Sequence, residues 1–304
     1  MRTNLKWLAL AACLAALPAC EEQQAKPTLV IRKPAPAYGP TAAAYNADIA
    51  PLDTLWCRAT TQLRYTDSDG DKRIEQGEGH LQVVRPDKVA LSIGKVGQIL
   101  FWLGCDENRY WWMELTGDEH LAYVGLHDGP ARAAASAGQG PGGMVGSVSP
   151  RSVARVLAIV PLPEKIGTAE WTADGKQVIL TSAIEGDAKG TRQRVWMDPQ
   201  KLFATRVQLV GPSGKPEISA ELSEEQFVTV KNGTGAMPAV AGKVFVSHPA
   251  SNTEIRLFLE GLEAGGPRIK PAAFNFEQLC KALRVDKVID LDEQQRARDG
   301  VGQP

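Results

Sequence analysis

The stretch GHLQVVRPDKVALSI, residues 79–93, decides the fold of this chain. Apolar side chains alternate with other residues on both sides of the turn RPDK, residues 85–88. A period of two is typical of strands with one buried and one exposed face. Two such strands joined by a short polar turn predict an antiparallel β-hairpin.

Strand signals continue on both sides of this hairpin. Residues 55–66 predict a strand that turns at residues 67–71 and leads into the strand at 79–84. Residues 99–103 and 110–113 are apolar at odd and even positions alike, which indicates strands that are covered on both faces. Later strands are expected at 177–184, 192–197, 204–210, 217–222, 226–230, 243–248 and 254–260. The chain is therefore predicted to be mainly β, in the α+β class, with an antiparallel sheet of meandering strands.

Two helices are expected between and after the strands. Ser149 and Pro150 are typical of an N-cap and a first turn, and an apolar stripe follows through residue 160. A second helix is predicted to begin at Asn275, with Gln278 three residues later as in a capping box. Residues 127–147, rich in Ala and Gly, predict a mobile loop before the first helix.

The N-terminus is typical of a bacterial secretion signal. Arg2 and Lys6 precede an apolar run that is too short to span a membrane as a helix. Leu17-Pro18-Ala19 then lead to Cys20, an arrangement similar to the lipobox of bacterial lipoproteins, whose cysteine is acylated. In that interpretation the protein is held on a membrane by acyl chains. An ordinary cleaved signal followed by a chance cysteine is the alternative.

Composition sets the domain boundaries. Residues 1–19 form the signal peptide, and the Pro- and Ala-rich residues 20–50 predict a disordered tether. The folded domain is expected at 51–290, and the charged residues 291–304 are expected to form a disordered tail.

Charge and cysteine usage exclude several classes of protein. The net charge is −1 and becomes −3 when residues 1–19 are removed, so there is no basic surface for nucleic acid. Cys57, Cys105 and Cys280 lack zinc-site spacing, and either buried thiols or one disulfide plus one thiol is compatible with them.

One acidic loop has the spacing of an EF-hand. The candidate ligands for calcium are Asp67, Asp69, Asp71 and Glu78. However, Lys72 stands where the loop needs glycine, and the flanking residues predict strands. A hairpin turn is the favoured interpretation, and a weak calcium site is the alternative.

Catalytic motifs are missing from the sequence, so the chain is predicted not to be an enzyme and to need no cofactor. The aromatic residues of 99–113 are different, because they concentrate on two neighbouring strands. They indicate either plain core packing or the wall of an apolar pocket.

The whole pattern resembles the LolA/LolB-like lipoprotein carriers. The resemblance rests on the strand–RP–strand segment 79–91 and on residues 104–111, where a glycine–polar turn leads into an aromatic strand, and it covers about residues 55–290. It implies an incomplete antiparallel β-barrel, a half-barrel, whose concave side is closed by helices over an apolar cavity for acyl chains. Residues 127–147 would be its lid.

The implied function is binding of lipid or lipoprotein acyl chains by a monomeric lipoprotein, as carrier or sensor. A ligand-free envelope interaction module of the same fold is the alternative. Glu21 follows Cys20 where some inner-membrane lipoproteins have Asp, which favours the outer membrane and a periplasm-facing domain. The candidate cavity residues are Leu91, Ile93, Phe101, Leu103, Trp102, Trp111, Trp112, Val153, Val156, Leu157 and Val160.

Overall fold

The computed structural model describes residues 34–66, 71–131, 149–184, 190–231 and 237–301. These residues fall in one compact unit, and their strands join in a single sheet. The strands are β1 Thr54–Thr66, β2 Lys72–Val84, β3 Lys88–Lys95, β4 Gln98–Cys105, β5 Arg109–Glu114, β6 Leu121–Leu126, β7 Gly167–Trp171, β8 Val178–Ala183, β9 Arg192–Met197, β10 Ala204–Val210, β11 Pro216–Phe227, β12 Thr229–Val230, β13 Ala239–His248, β14 Thr253–Ala264 and β15 Lys287–Asp290.

The strand order across the sheet is β15-β6-β5-β4-β3-β2-β1-β14-β13-β11-β10-β9-β8-β7, with β12 beside β14. Neighbours are antiparallel except for the pairs β15–β6 and β12–β14, which are parallel. The predicted hairpin is β2–β3, in which Val84 pairs with Lys88. Among the described residues the edge strands β15 and β7 do not pair with each other, so the sheet is open.

Four α-helices lie wholly within the described ranges. They are α1 Tyr38–Ile49, α2 Arg151–Val156, α3 Phe276–Ala282 and α4 Leu291–Val301. As predicted, Asn275 caps α3, since its side-chain oxygen accepts the N–H of Gln278 at 2.9 Å. No described helix combines the length and apolar character that a membrane crossing needs.

The sheet curves around α2. This short helix contacts both β3 and β10, although six strand-to-strand steps separate them in the sheet. Six steps correspond to roughly 29 Å in a flat sheet, whereas a helix with its side chains is about 10–12 Å wide. Both strands can touch α2 only if the sheet bends towards it. We call the face towards α2 the inner face and the opposite one the outer face.

The main core lies between the inner face and a layer that we call the cover, formed by α1, α2 and residues 157–163. Tyr45 of α1 is 1% exposed and donates its hydroxyl hydrogen bond to the Ala158 carbonyl at 2.5 Å. Asn46 exchanges hydrogen bonds with the backbone of Leu162, at 2.9 and 2.8 Å. Apolar side chains from β1–β3, β8–β11, β13 and β14 complete this core. The predicted fold class, an incomplete antiparallel barrel with covering helices, is confirmed.

Three predictions about boundaries differ from the structure. The helix predicted from residue 149 to 160 ends at Val156, because Ala158 adopts a left-handed backbone (φ 57°). The tether predicted through residue 50 contains α1, whose Ala42, Tyr45 and Ile49 enter the core.

The last difference concerns the predicted tail at 291–304, which contains α4. Asp290 accepts the N–H groups of Asp292 and Glu293 at 2.9 Å each and so starts this helix. Leu291 is 4% exposed. A local capping signal, this apolar anchor and the buried Asp292, which is 2% exposed, together order a segment whose composition is mostly polar.

Candidate functional site

An apolar patch lies on the inner face, across the strands β1 and β3–β6. Pairing places Leu91 opposite Leu103, Leu103 opposite Trp112, and Trp112 opposite Tyr123. In the next row Ile93 lies opposite Phe101. Since opposite residues in a sheet project from the same face, these side chains form one surface. The inner apolar patch is defined as Leu63, Ile93, Phe101, Leu103, Trp112 and Tyr123.

The inner apolar patch is only partly covered. Ile93, Phe101, Leu103 and Tyr123 are half-buried, while Trp112 is buried at 7% exposure. The rings of Phe101 and Trp112 lie 5.4 Å apart in a tilted arrangement, which is favourable for aromatic pairs. This end of the inner face therefore offers apolar surface, unlike the densely packed region under the cover.

A small crevice opens within the patch. It has a volume of about 20 Å³ and lies where β2 and β3 separate beyond the pair Glu78–Gly94. Leu63, Ile93, Phe101 and Trp112 contribute its apolar walls. This volume holds about one water molecule, so a larger guest requires side chains of the patch to move apart.

Carboxylates border the patch. Glu75 lines the crevice, and Glu114 pairs with Phe101 across the strands. Burial, followed by the charge of Glu114, raises the pKa of Tyr123. Glu75 Oε2 lies 4.0 Å from the Lys95 ammonium, so this border carries charges of both signs. The patch thus has an apolar centre and a charged border, an arrangement that suits a molecule with an apolar body.

Two of the predicted cavity residues lie on the opposite face. Trp102 and Trp111 project outward, where Trp111 is fully buried and lies 5.7 Å from the ring of Phe276 in α3. Gly104 opposite Trp111 has no side chain, and a Cβ there would come within 2.5 Å of the indole. The prediction of one common cavity wall is wrong for these two residues, because neighbours along a strand project to opposite faces.

The cover residues of the prediction are all placed in the inner core. Val153, Val156, Leu157 and Val160 are between 2% and 7% exposed and pack with the strands. They face the expected side of the sheet, but they fill it rather than line an open cavity. Cys20 and residues 132–147 of the expected lid lie outside the described residues.

The calcium candidates are not brought together where they can be located. Asp67 and Asp69 lie outside the described residues. Thr66 pairs with Lys72, so the segment between them connects two antiparallel strands, as the hairpin interpretation predicts. Glu78 pairs with Thr60, six residues further along β2 than Lys72, a distance of roughly 20 Å in a strand. Glu78 therefore cannot complete a loop that is centred on Asp71.

The three cysteines are free thiols in the described structure. Burial raises the pKa of Cys57 and of Cys105 to about 12, which keeps both protonated at neutral pH. Burial also raises the pKa of Cys280. Of the two alternatives that the sequence left open, the structure has the one without a disulfide.

Sequence reasoning missed Leu63 and Tyr123 as members of the patch. Leu63 was assigned to a strand, but its partner strand β14 is almost 200 residues away, as in the pair Leu63–Ile255. Tyr123 lies in β6, which the sequence did not predict. The alternation of Leu121 and Tyr123 was the available signal.

Comparisons with known proteins found similar solved structures but no match in sequence. No family model matches the chain, and no curated protein matches it in sequence. Similar solved structures include a domain assigned to outer membrane lipoprotein sorting from Vibrio parahaemolyticus, with a TM-score of 0.46 and 12% identity over 79% of this chain and 97% of that one. A DUF1329 family protein from Desulfovibrio piger has a TM-score of 0.45 and 12% identity over 80% and 98%. A LolA superfamily protein from Nitrosomonas europaea has a TM-score of 0.43 and 8% identity over 78% and 98%. All three TM-scores lie below 0.5, so the half-barrel assignment rests on the strand order and the cover described above.

Proposed function

We propose that this chain is a membrane-anchored bacterial lipoprotein that binds acyl chains of lipids or lipoproteins at the inner apolar patch. The observation that carries this proposal is a pair of adjacent rows of half-buried apolar side chains on the concave side of an open sheet, Ile93 and Phe101 in one row and Leu103 and Tyr123 in the other. Each buried methylene of a chain contributes about 0.8 kcal/mol. A 16-carbon chain would therefore gain on the order of 10 kcal/mol before the cost of ordering it.

Phe101 tests the acyl-chain site. The protein from residue 21 onward, which retains every described residue, is purified without detergent and examined by native mass spectrometry, with a fluorescent fatty acid in parallel. Phe101→Ser is expected to remove lipid adducts and to weaken uptake at least tenfold, because the pair with Trp112 and the apolar wall are lost. Phe258→Ser is the matched control, since Phe258 of β14 lies on the outer face and is 37% exposed. Equal uptake by the two variants would contradict the proposal.

The anchor is tested separately. We propose that Cys20 carries the acyl chains and that the protein faces the periplasm from the outer membrane, with the signal at residues 1–19 removed. Cells fed an alkyne fatty acid should label the protein, and Cys20→Ala should abolish the labelling and leave unprocessed precursor. Label that persists in the variant would place the acyl chain elsewhere.

A ligand-free interaction module is the second candidate function. It is favoured by the tight cover, whose Val156 and Leu157 are each 2% exposed, and by the small volume of the crevice. A clean apo mass together with no uptake of the fatty acid would support this second function over the first.

A further inference from the structure

A second concave feature lies on the outer face, on the other side of the sheet from the inner apolar patch. It is a cleft of about 850 Å³, within the size range of small-molecule sites. Trp102 and Ile99 of β4 and Glu78 and His80 of β2 are among the residues that line it. We call this feature the outer groove.

Small residues of β3 make the floor of the outer groove. Ser92, which pairs with Trp102, is 8% exposed, and the next outer-face position on β3 is Gly94, opposite Glu78. The strands on either side carry larger side chains at these rows, His80 on β2 and Trp102 on β4. A short central row between two taller rows produces a trough that follows β3.

The two ends of the groove differ. At one end the backbone N–H of Lys270 donates to Gln82 Oε1 at 2.9 Å, and Phe274 packs on Ala90. This end is therefore closed. At the other end the β3–β4 turn at residues 95–98 forms an exposed rim.

The wall on β2 is held in place by its neighbours. The ring of Trp56 lies 5.3 Å from the ring of His80 and 4.2 Å from the guanidinium carbon of Arg268. The backbone N–H of His80 donates to Ser92 Oγ at 3.1 Å. The wall therefore needs little ordering when a ligand arrives, which favours binding.

The chemistry of the lining is neutral and rich in amides. Gln76 and Gln98 are exposed, and each carries a carbonyl oxygen and an NH₂ group, so they can accept and donate hydrogen bonds. Gln82 is buried, and its Oε1 already accepts the N–H of Lys270.

Glu78 and Lys95 give the lining one formal charge of each sign, and the Lys95 ammonium also lies 4.0 Å from Glu75 Oε2 at the border of the inner apolar patch. The groove therefore has no cluster of like charges that would recruit an ion. Trp102 and Ile99 add an apolar wall.

We propose that the outer groove binds a neutral oligosaccharide. A sugar ring presents C–H groups on its faces, which suit an indole wall, and hydroxyl groups around its edge, which suit amide side chains. An extended peptide fits less well, because β3 is paired on both sides by β2 and β4 and offers no free edge for strand addition. This site lies on the opposite face from the proposed acyl-chain site, and Gln76 is the one lining residue that the outer groove shares with the inner crevice.

Isothermal titration of the protein from residue 21 onward with chitotetraose and with maltotetraose tests the proposal. Binding of at least one of them, with a Kd of about 1 mM or tighter, is expected. The double variant Gln76→Ala/Gln98→Ala should weaken that binding about tenfold or more, through two lost hydrogen bonds. Both side chains are exposed, so the variant is expected to fold. Trp102→Leu, which keeps an apolar side chain in the packing against α3, should also weaken binding.

Gln200→Ala/Gln294→Ala is the matched control, because both glutamines are exposed and lie outside the groove. It should bind as the unchanged protein does. Failure of both sugars to bind, equal affinity of the groove variant and the control, or capture of a peptide in place of the sugars would overturn the proposal. Uptake of a fatty acid by the unchanged protein and by Trp102→Leu, whose side chain does not line the inner crevice, reports on the inner face, so the two proposals can fail separately.

Discussion

Arg85 is the side chain that joins β2 to the cover. Its guanidinium donates to the carbonyls of Ile159 and Ala50, both at 3.0 Å, and to Asp53 Oδ1 at 2.5 Å. The Arg85 side chain is 9% exposed, whereas that of Asp53 is 89% exposed, so the two carbonyl bonds matter more than the ion pair.

Arg85→Ala is expected to lower the free energy of unfolding by about 2–4 kcal/mol, because two carbonyls lose a charged donor. Urea unfolding followed by circular dichroism measures this. Arg58→Ala is the control, since Arg58 and Glu260 form an exposed ion pair at 3.1 Å whose loss should cost less than about 1 kcal/mol. If the two variants lost similar amounts of stability, the carbonyl hydrogen bonds of Arg85 would contribute no more than an exposed ion pair.

His127 is expected to make the stability of the protein depend on pH. Burial lowers the pKa of His127, and the charge of Arg151 lowers it further. The Nε2–H···O hydrogen bond to the Asp106 carbonyl at 2.9 Å and the charges of Asp87 and Asp106 oppose the shift. A histidine whose pKa is lower in the folded state contributes stability that is complete above the unfolded value of about 6.5. That contribution is lost as the pH falls from there through the folded pKa.

His127→Gln keeps a donor for the Asp106 carbonyl but cannot be protonated. Unfolding free energies measured between pH 5 and 8 should fall more steeply towards low pH for the unchanged protein than for this variant. Parallel curves would show that His127 does not contribute to the pH dependence.

The face to which a strand residue projects was predictable only where every second position of the strand is polar. The apolar residues of β3 alternate and were placed correctly on the inner face. In β4 and β5 the odd and the even positions are both apolar. The local pattern therefore does not assign Trp112 and Trp111, or Leu103 and Trp102, to different faces. The separation depends on α3, which covers one face and comes from a segment about 170 residues away.

At the scale of elements, the helices at the two ends of the described chain were not predicted. α1 has only a weakly apolar sequence, and Ala37 before it provides no side-chain cap. It is held by tertiary contacts, such as the hydrogen bond from the Tyr38 hydroxyl to the Pro163 carbonyl at 2.7 Å. Capping and periodicity describe local preference, so they do not detect a helix that packing stabilises.

α4 holds the segment that follows β6 through one buried carboxylate. Asp292 is 2% exposed and accepts the N–H groups of Leu126 and Ala131 at 2.7 and 3.0 Å. Asp292→Asn places an NH₂ group towards one of these donors and is expected to cost about 1–3 kcal/mol of stability. Thermal or urea unfolding measures the change.

Glu293→Gln is the control for α4. Glu293 is next to Asp292 but exposed, so its substitution should change the free energy of unfolding by less than about 0.5 kcal/mol. If Asp292→Asn were equally neutral, the carboxylate would not be what holds this segment to the helix.

At the scale of the whole molecule, the sequence pattern predicted an antiparallel sheet with two helices, and the family resemblance implied a half-barrel with covering helices. The structure has that architecture. The pairing of β1 with β14 was beyond local analysis, because strand partners that are distant in sequence leave no periodic signal. Local analysis also could not predict how completely the cover fills the inner face. Val156 and Leu157 were expected to line a cavity, yet an aspartate at either position would place an unpaired charge in the core.

The cover also makes the two ends of the sheet interdependent. Leu157 packs in a core that includes Val89 and Leu91 at one end of the sheet and Val195 and Val207 towards the other. Since both ends share these contacts, they should unfold together.

Leu157→Ala is expected to lower the free energy of unfolding by about 2–5 kcal/mol, the usual range for a buried leucine. Hydrogen exchange followed by mass spectrometry should show equal loss of protection in peptides from β2–β3 and from β9–β10. Leu126→Ala, at a side chain that is 48% exposed, serves as the control and should leave both regions protected. If Leu157→Ala loosened one region and left the other protected, the sheet would consist of two independent units, and the proposed acyl-chain site would depend on the half built from β1–β6 alone.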